Sequence, residues 1–115
     1  MICKRDDLAL VPFPFIDLSS AKRRPVLVFV DPDGYGDFRG VAVTSRPHHS
    51  NARGIGDQDL SQGGRPAASW VRTDRVITLN AVLVSKVFGS VTNAFLDRVI
   101  QGVCARVGFS PRRAG

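Results

Sequence analysis

The stretch Lys22-Arg23-Arg24-Pro25-Val26-Leu27-Val28-Phe29-Val30 decides how the chain folds. From Pro25 onward it is an unbroken β-branched and aromatic run, too short for a buried helix and typical of a central strand. A residue before proline is barred from the helical region, so Arg24 enters this strand with an extended backbone. Asp31-Pro32-Asp33-Gly34-Tyr35-Gly36-Asp37 follows as dense turn chemistry and returns the chain into a strand over Gly40–Ser45. On the N-terminal side, Asp17 to Arg24 reads as a polar loop, preceded by the apolar run Leu8-Ala9-Leu10-Val11. Pro12-Phe13-Pro14-Phe15 closes that run, because two prolines bar regular ladder pairing.

From Arg46 to Pro66 the sequence is polar and Gly-rich, with one short strand around Gly54–Leu60. Such loops often carry function. Ala68–Arg72 and Val82–Phe88 read as two further strands, with Thr73–Leu79 between them as a turn and a short extended piece. The spacing predicts a helix over Asn93–Val107. Leu96, Val99, Ile100, Val103 and Val107 form an apolar stripe, and Asn93, Asp97, Arg98, Gln101 and Arg106 fall largely opposite. Thr92 is its N-cap, Val91 and Leu96 staple that end, and Gly108 stops it. Residues 110–115 read as a frayed tail. The whole is one mainly β domain: a small, strongly bent sheet or barrel capped by a C-terminal α-helix.

The 115 residues carry 16 Lys+Arg against 10 Asp+Glu, a formal net charge of +6. Thirteen of the bases are arginine, and all ten acids are aspartate. A guanidinium offers a donor fork that matches phosphate, so this surface suits an anionic partner; a genome rich in Arg codons would give the same composition. No apolar run reaches the ~18 residues of a membrane helix. The charged start Met1–Asp7 is followed only by the short run Leu8–Val11, with no apolar h-region of the kind a signal peptide has. Cys3 and Cys104 lie far apart and read as free thiols of a cytoplasmic protein. Asp31, Asp33 and Gly36 fit three positions of a calcium loop, but Tyr35 and Ala42 stand where further ligands belong. His48-His49 has no partners at metal spacing, and without glutamate or a cluster of paired aspartates a carboxylate-held Mg²⁺ nuclease site is hard to build.

Several segments, occurring in order, resemble the MazF/PemK family of toxins from type II toxin–antitoxin pairs. They are Leu10-Val11-Pro12-Phe13-Pro14-Phe15-Ile16-Asp17-Leu18-Ser19 with Lys22-Arg23-Arg24-Pro25-Val26-Leu27-Val28, then Val43-Thr44-Ser45, then Ser69-Trp70-Val71-Arg72-Thr73-Asp74 with Thr78-Leu79. Lys86-Val87-Phe88-Gly89-Ser90-Val91-Thr92 completes the set and leads into the helix. The resemblance implies an SH3-like antiparallel barrel with a C-terminal helix, assembled as a homodimer. It further implies a metal-independent, sequence-selective endoribonuclease on single-stranded RNA, needing no cofactor and silenced by a cognate antitoxin protein. By matching position, Arg24 is the family's arginine before the strand-opening proline, Thr44 and Ser45 its strand-end pair, and Arg72 and Asp74 its Arg-x-Asp segment.

Chemistry agrees with those positions. In RNA cleavage without metal the 2′-OH attacks its own phosphate; a base takes the hydroxyl proton, a cation holds the phosphorane and an acid protonates the leaving 5′-oxygen. Asp74 suits the base, Arg24 and Arg72 the phosphate clamp, and Thr44 with Ser45 hydrogen bonds to non-bridging oxygens. An arginine is a poor acid, with a pKa above ~12. Lys22, Arg23 and Arg46 are candidates to track RNA phosphates, and Phe15 and His48 to stack bases; core packing for Phe15 and a solvated loop for Arg46 are the alternatives. Family members carry a His or Glu in the loop five or six residues before the arginine. Leu18 and Ser19 stand there instead, so any such duty is either dispensed with or moved to Asp17 or His48. Two other function classes suit the same barrel: a non-catalytic nucleic-acid-binding protein, and a gyrase-poisoning toxin of the CcdB type, whose C-terminal aromatic has no counterpart in Pro111–Gly115.

Overall fold

The apolar run after Arg24 becomes the middle of a sheet. The computed structural model describes residues 3–12, 23–46, 52–64 and 68–108. It contains β1 (Asp7–Pro12), β2 (Arg23–Val30), β3 (Asp37–Thr44), β4 (Ala52–Gly54), β5 (Leu60–Gly63), β6 (Trp70–Asn80), β7 (Lys86–Val91) and α1 (Asn93–Arg106). All seven strands join one antiparallel sheet in the order β4-β6-β3-β2-β1-β7-β5, with β2 at the centre. Register shifts in the β1–β7, β2–β3, β3–β6 and β5–β7 ladders bend it. Its edge strands β4 and β5 do not pair with each other, so the sheet is open where the expectation was a barrel.

Both faces of the bent sheet are buried, and this explains the continuous apolar run of β2. Leu8, Leu27, Val41, Val43 and Val71 pack with Phe95, Leu96 and Val99 of α1. Ala9, Val11, Val26 and Val28 form a second core with Cys3, Phe38, Leu79 and Val84. Gly40 sits where β3 crosses this central strand: a Cβ there would overlap Val26 Cγ1 and lie 2.9 Å from the Leu27 carbonyl oxygen. The helix start is as expected, with Thr92 Oγ1 accepting a 3.2 Å hydrogen bond from Phe95 N–H, and Val91 and Leu96 in the same core.

Four local expectations are corrected. Thr73–Leu79 is no turn; β6 runs from Trp70 to Asn80 because β3 and β4 pair along it, overriding its polar local preference. Ala81–Leu83 is a 3₁₀ turn, since Asn80 Oδ1 accepts a 3.0 Å bond from Val82 N–H, and the strand begins only at Lys86. The single short strand around Gly54–Leu60 is two, β4 and β5, separated by a 3₁₀ turn at Asp57–Asp59. The helix ends at Arg106, with Val107 as its cap and Gly108 at φ +80°. The tail at 110–115 lies outside the described residues.

Candidate active site

The irregularity in β6 builds the site. Val41 pairs with Val76 and Val43 with Val71, so Arg72, Thr73, Asp74 and Arg75 all stand against the single residue Ala42. The extra residues put the strand out of phase. Val71 faces the helix-side core, whereas Ile77 and Leu79, of the same parity, pack into the other. Thr73 is buried beneath α1, where a Cβ on Gly102 would come within 2.8 Å of Thr73 Cγ2. The helix therefore rests directly on the residue between Arg72 and Asp74, and strand alternation turns those two away from it.

Beside this bulge, across β2, β3 and β6, lies a cleft of about 110 Å³. Arg24, Arg72 and Arg75 supply guanidinium groups to it, Thr44 a hydroxyl, and Pro25, Ala42, Val43 and Ile77 apolar wall. Arg24 stands at the mouth of β2 opposite Val11, and Thr44 at the end of β3 opposite Trp70. Thr44 Oγ1 accepts a 3.1 Å bond from Arg46 N–H, which leaves the hydroxyl proton available for donation.

Arg72 and Asp74 form a two-pronged pair: Nε donates to Oδ1 at 3.1 Å and Nη2 to Oδ2 at 2.7 Å. Their side chains are 18% and 28% exposed. The Arg72 hydrogen bonds hold the Asp74 carboxyl below the usual carboxylate range. Because the pKa is lowered on folding, the pair's stabilisation is complete above the unfolded carboxylate range and is lost as pH falls through Asp74's lowered pKa. An NMR carboxyl titration is expected to give Asp74 a midpoint below its ordinary 3.8, and Arg72→Ala to return it toward that value. An unchanged midpoint in the variant would show that the pair does not govern this carboxylate.

The structure thus brings Arg24, Thr44 and Arg72 to one cleft. It leaves Asp74 off the lining and attached through Arg72. Arg23, Ser45 and Arg46 are exposed at strand ends nearby, while Phe15, Lys22 and His48 lie outside the described residues, as do Asp17, Leu18 and Ser19. Arg75 enters the cleft without any sequence signal, because only the bulge aims it there. A larger open hollow of about 610 Å³ lies beside β5, and its described lining includes Asp57, Ser61 and Gln62. Among the described residues no three His, Cys, Asp or Glu side chains are grouped as a metal would require. Among the described residues no helix is long and apolar enough to cross a membrane.

These features define a class of protein: a small, bent β-sheet domain capped by a helix, with an arginine-lined cleft. Residues 4–106 match the family described as PemK-like, MazF-like toxin of type II toxin-antitoxin system, and the chain belongs to that family. No curated protein sequence matches it. Among solved structures it is similar to an endoribonuclease from a mycobacterial species in complex with its cognate antitoxin, at TM-score 0.72 and 16% identity over 96% of this chain and 97% of that one. It is similar to the MazE–MazF complex of Deinococcus radiodurans at TM-score 0.71 and 19% identity, over 96% and 99%. The Mycobacterium tuberculosis toxin MazF-mt6 gives TM-score 0.70 and 11% identity over 91% and 99%. At such identities the likeness is one of fold.

Proposed function

We propose that this chain is a cytoplasmic toxin that cuts single-stranded RNA as a metal-independent, sequence-selective endoribonuclease, working as a homodimer and held in check by a cognate antitoxin protein. The observation that carries the reading is the meeting of Arg24, Thr44 and Arg72 in one cleft, with Arg72 braced by Asp74. Family membership and the endoribonuclease and antitoxin complexes among its structural neighbours support it.

In the proposed reaction the RNA 2′-oxygen bonds to the adjacent phosphorus and the bond to the 5′-oxygen breaks. The products are a 2′,3′-cyclic phosphate and a 5′-hydroxyl end. Asp74, a weak base because Arg72 lowers its pKa, takes the 2′-OH proton, and the leaving 5′-oxygen takes a proton from water. Arg24 and Arg72 hold the non-bridging oxygens as charge gathers on them, and Thr44 donates its free hydroxyl proton to one of them.

The purified protein in EDTA is expected to cleave single-stranded RNA at a recurring short motif. A single 2′-deoxy nucleotide at the cut position should abolish cleavage, because the nucleophile is gone. Intact RNA in EDTA, or undiminished cutting of the 2′-deoxy substrate, would rule the mechanism out.

A further inference from the structure

Of the three guanidinium groups in the cleft, that of Arg72 already gives two donors to Asp74. Among the described residues the guanidinium groups of Arg24 and Arg75 have no hydrogen-bond or ion-pair partner, although the charge of Arg75 is near enough to Asp74 to help lower its pKa. Both are exposed at their strand positions, yet both line the same cleft of about 110 Å³, from opposite elements. Arg24 comes from the extended start of β2, and Arg75 from the last position of the β6 bulge. A cleft of this size takes one tetrahedral group. Its apolar wall of Pro25, Ala42, Val43 and Ile77 limits hydration on one side, which strengthens a charge-assisted bond formed there. A bulge that places four residues against one is costly in ladder bonds, and its effect here is to present an uncommitted guanidinium to the cleft.

From this geometry we infer that Arg75 is a catalytic residue: with Arg24 it forms the pair of free donor forks that grips the phosphoryl oxygens in the transition state, while Arg72 is partly neutralised by Asp74. The inference rests on the proposed RNA cleavage and adds to it a residue that the family resemblance did not assign. Two unpaired cations favour the doubly charged phosphorane over the singly charged phosphodiester, so their effect falls on kcat more than on KM.

The test compares wild type, Arg75→Ala, Arg75→Lys and Arg24→Ala on a short single-stranded RNA containing the cut motif. Binding of the same RNA with a 2′-O-methyl group at the cut position is measured across salt concentrations. Arg39→Ala, which removes an exposed β3 charge lining a different hollow, controls for the loss of one positive charge. Arg75→Ala is expected to lower kcat about 10- to 100-fold with Arg75→Lys intermediate, and to leave 2′-O-methyl RNA affinity within a few-fold. Arg39→Ala should match wild type in kcat. An Arg75→Ala enzyme with wild-type kcat and only a raised KM, or a loss equalled by Arg39→Ala, overturns the inference and leaves the proposed function standing if Arg24→Ala is inactive. A wild-type protein that binds the RNA but never cuts it overturns both.

Discussion

Arg24→Ala is expected to lower kcat for RNA cleavage by about 10²–10³-fold, the largest loss from any single change at the cleft. The physical basis is position as well as charge. Pro25 confines the Arg24 backbone to extended geometry, and pairing of Arg24 with Val11 in the β1–β2 ladder fixes it further, so its guanidinium starts from a rigid mount. Among the described residues it has no acid partner that would occupy its donor fork. Lysine at this position keeps the charge but loses the planar fork, and should recover only part of the rate. Single-turnover cleavage with the enzyme in saturating excess over RNA separates the rate of chemistry from binding. Wild-type rates in Arg24→Ala would remove the phosphate clamp from the mechanism.

The largest effect on stability is expected from Phe38→Ala, about 3–5 kcal/mol by urea denaturation. Phe38 is fully buried in the core on the face of the sheet away from α1, among Val26, Val28, Leu79 and Val84. Val26, Val28 and Leu79 are strand residues held by ladder bonds, which limits their collapse into the space left behind. Against a total of roughly 5–15 kcal/mol for a domain, that loss leaves little reserve. Tyr35→Ala, three residues earlier, should change stability by no more than about 0.5 kcal/mol, because Tyr35 is 88% exposed. Equal effects of the two changes would contradict a second core on that face.

The contrast between Phe38 and Tyr35 also marks where local reading ends. Both are aromatics flanking the same glycine-rich turn, and nothing in their immediate neighbours tells them apart. Phe38 is buried because β3 begins at Asp37 and pairs with β6, which puts Phe38 opposite Leu79. The site divides in the same way. Arg24 and Thr44 stand at the ends of strands that their own residues specify, and both reach the cleft. Arg72 and Asp74 are site candidates only through the family resemblance, and neither the resemblance nor their local sequence shows that the guanidinium takes both carboxylate oxygens. Arg75 carries no local signal of its place, since its direction depends on a bulge.

By itself the sequence determined the elements whose signals are local: the apolar runs of β1, β2 and β3, and the helix with its Thr92 cap and Val91–Leu96 staple. Backbone propensity, side-chain period and capping act within a few residues, so they are readable without a partner. The tertiary structure alone decided the continuity of β6, the burial of Phe38, the open edges at β4 and β5, and the convergence of Arg24 and Arg75. Each of these depends on which residues of distant strands face one another. A shift of one residue in register reverses every side chain, and the four-against-one bulge at Ala42 is a shift of that kind.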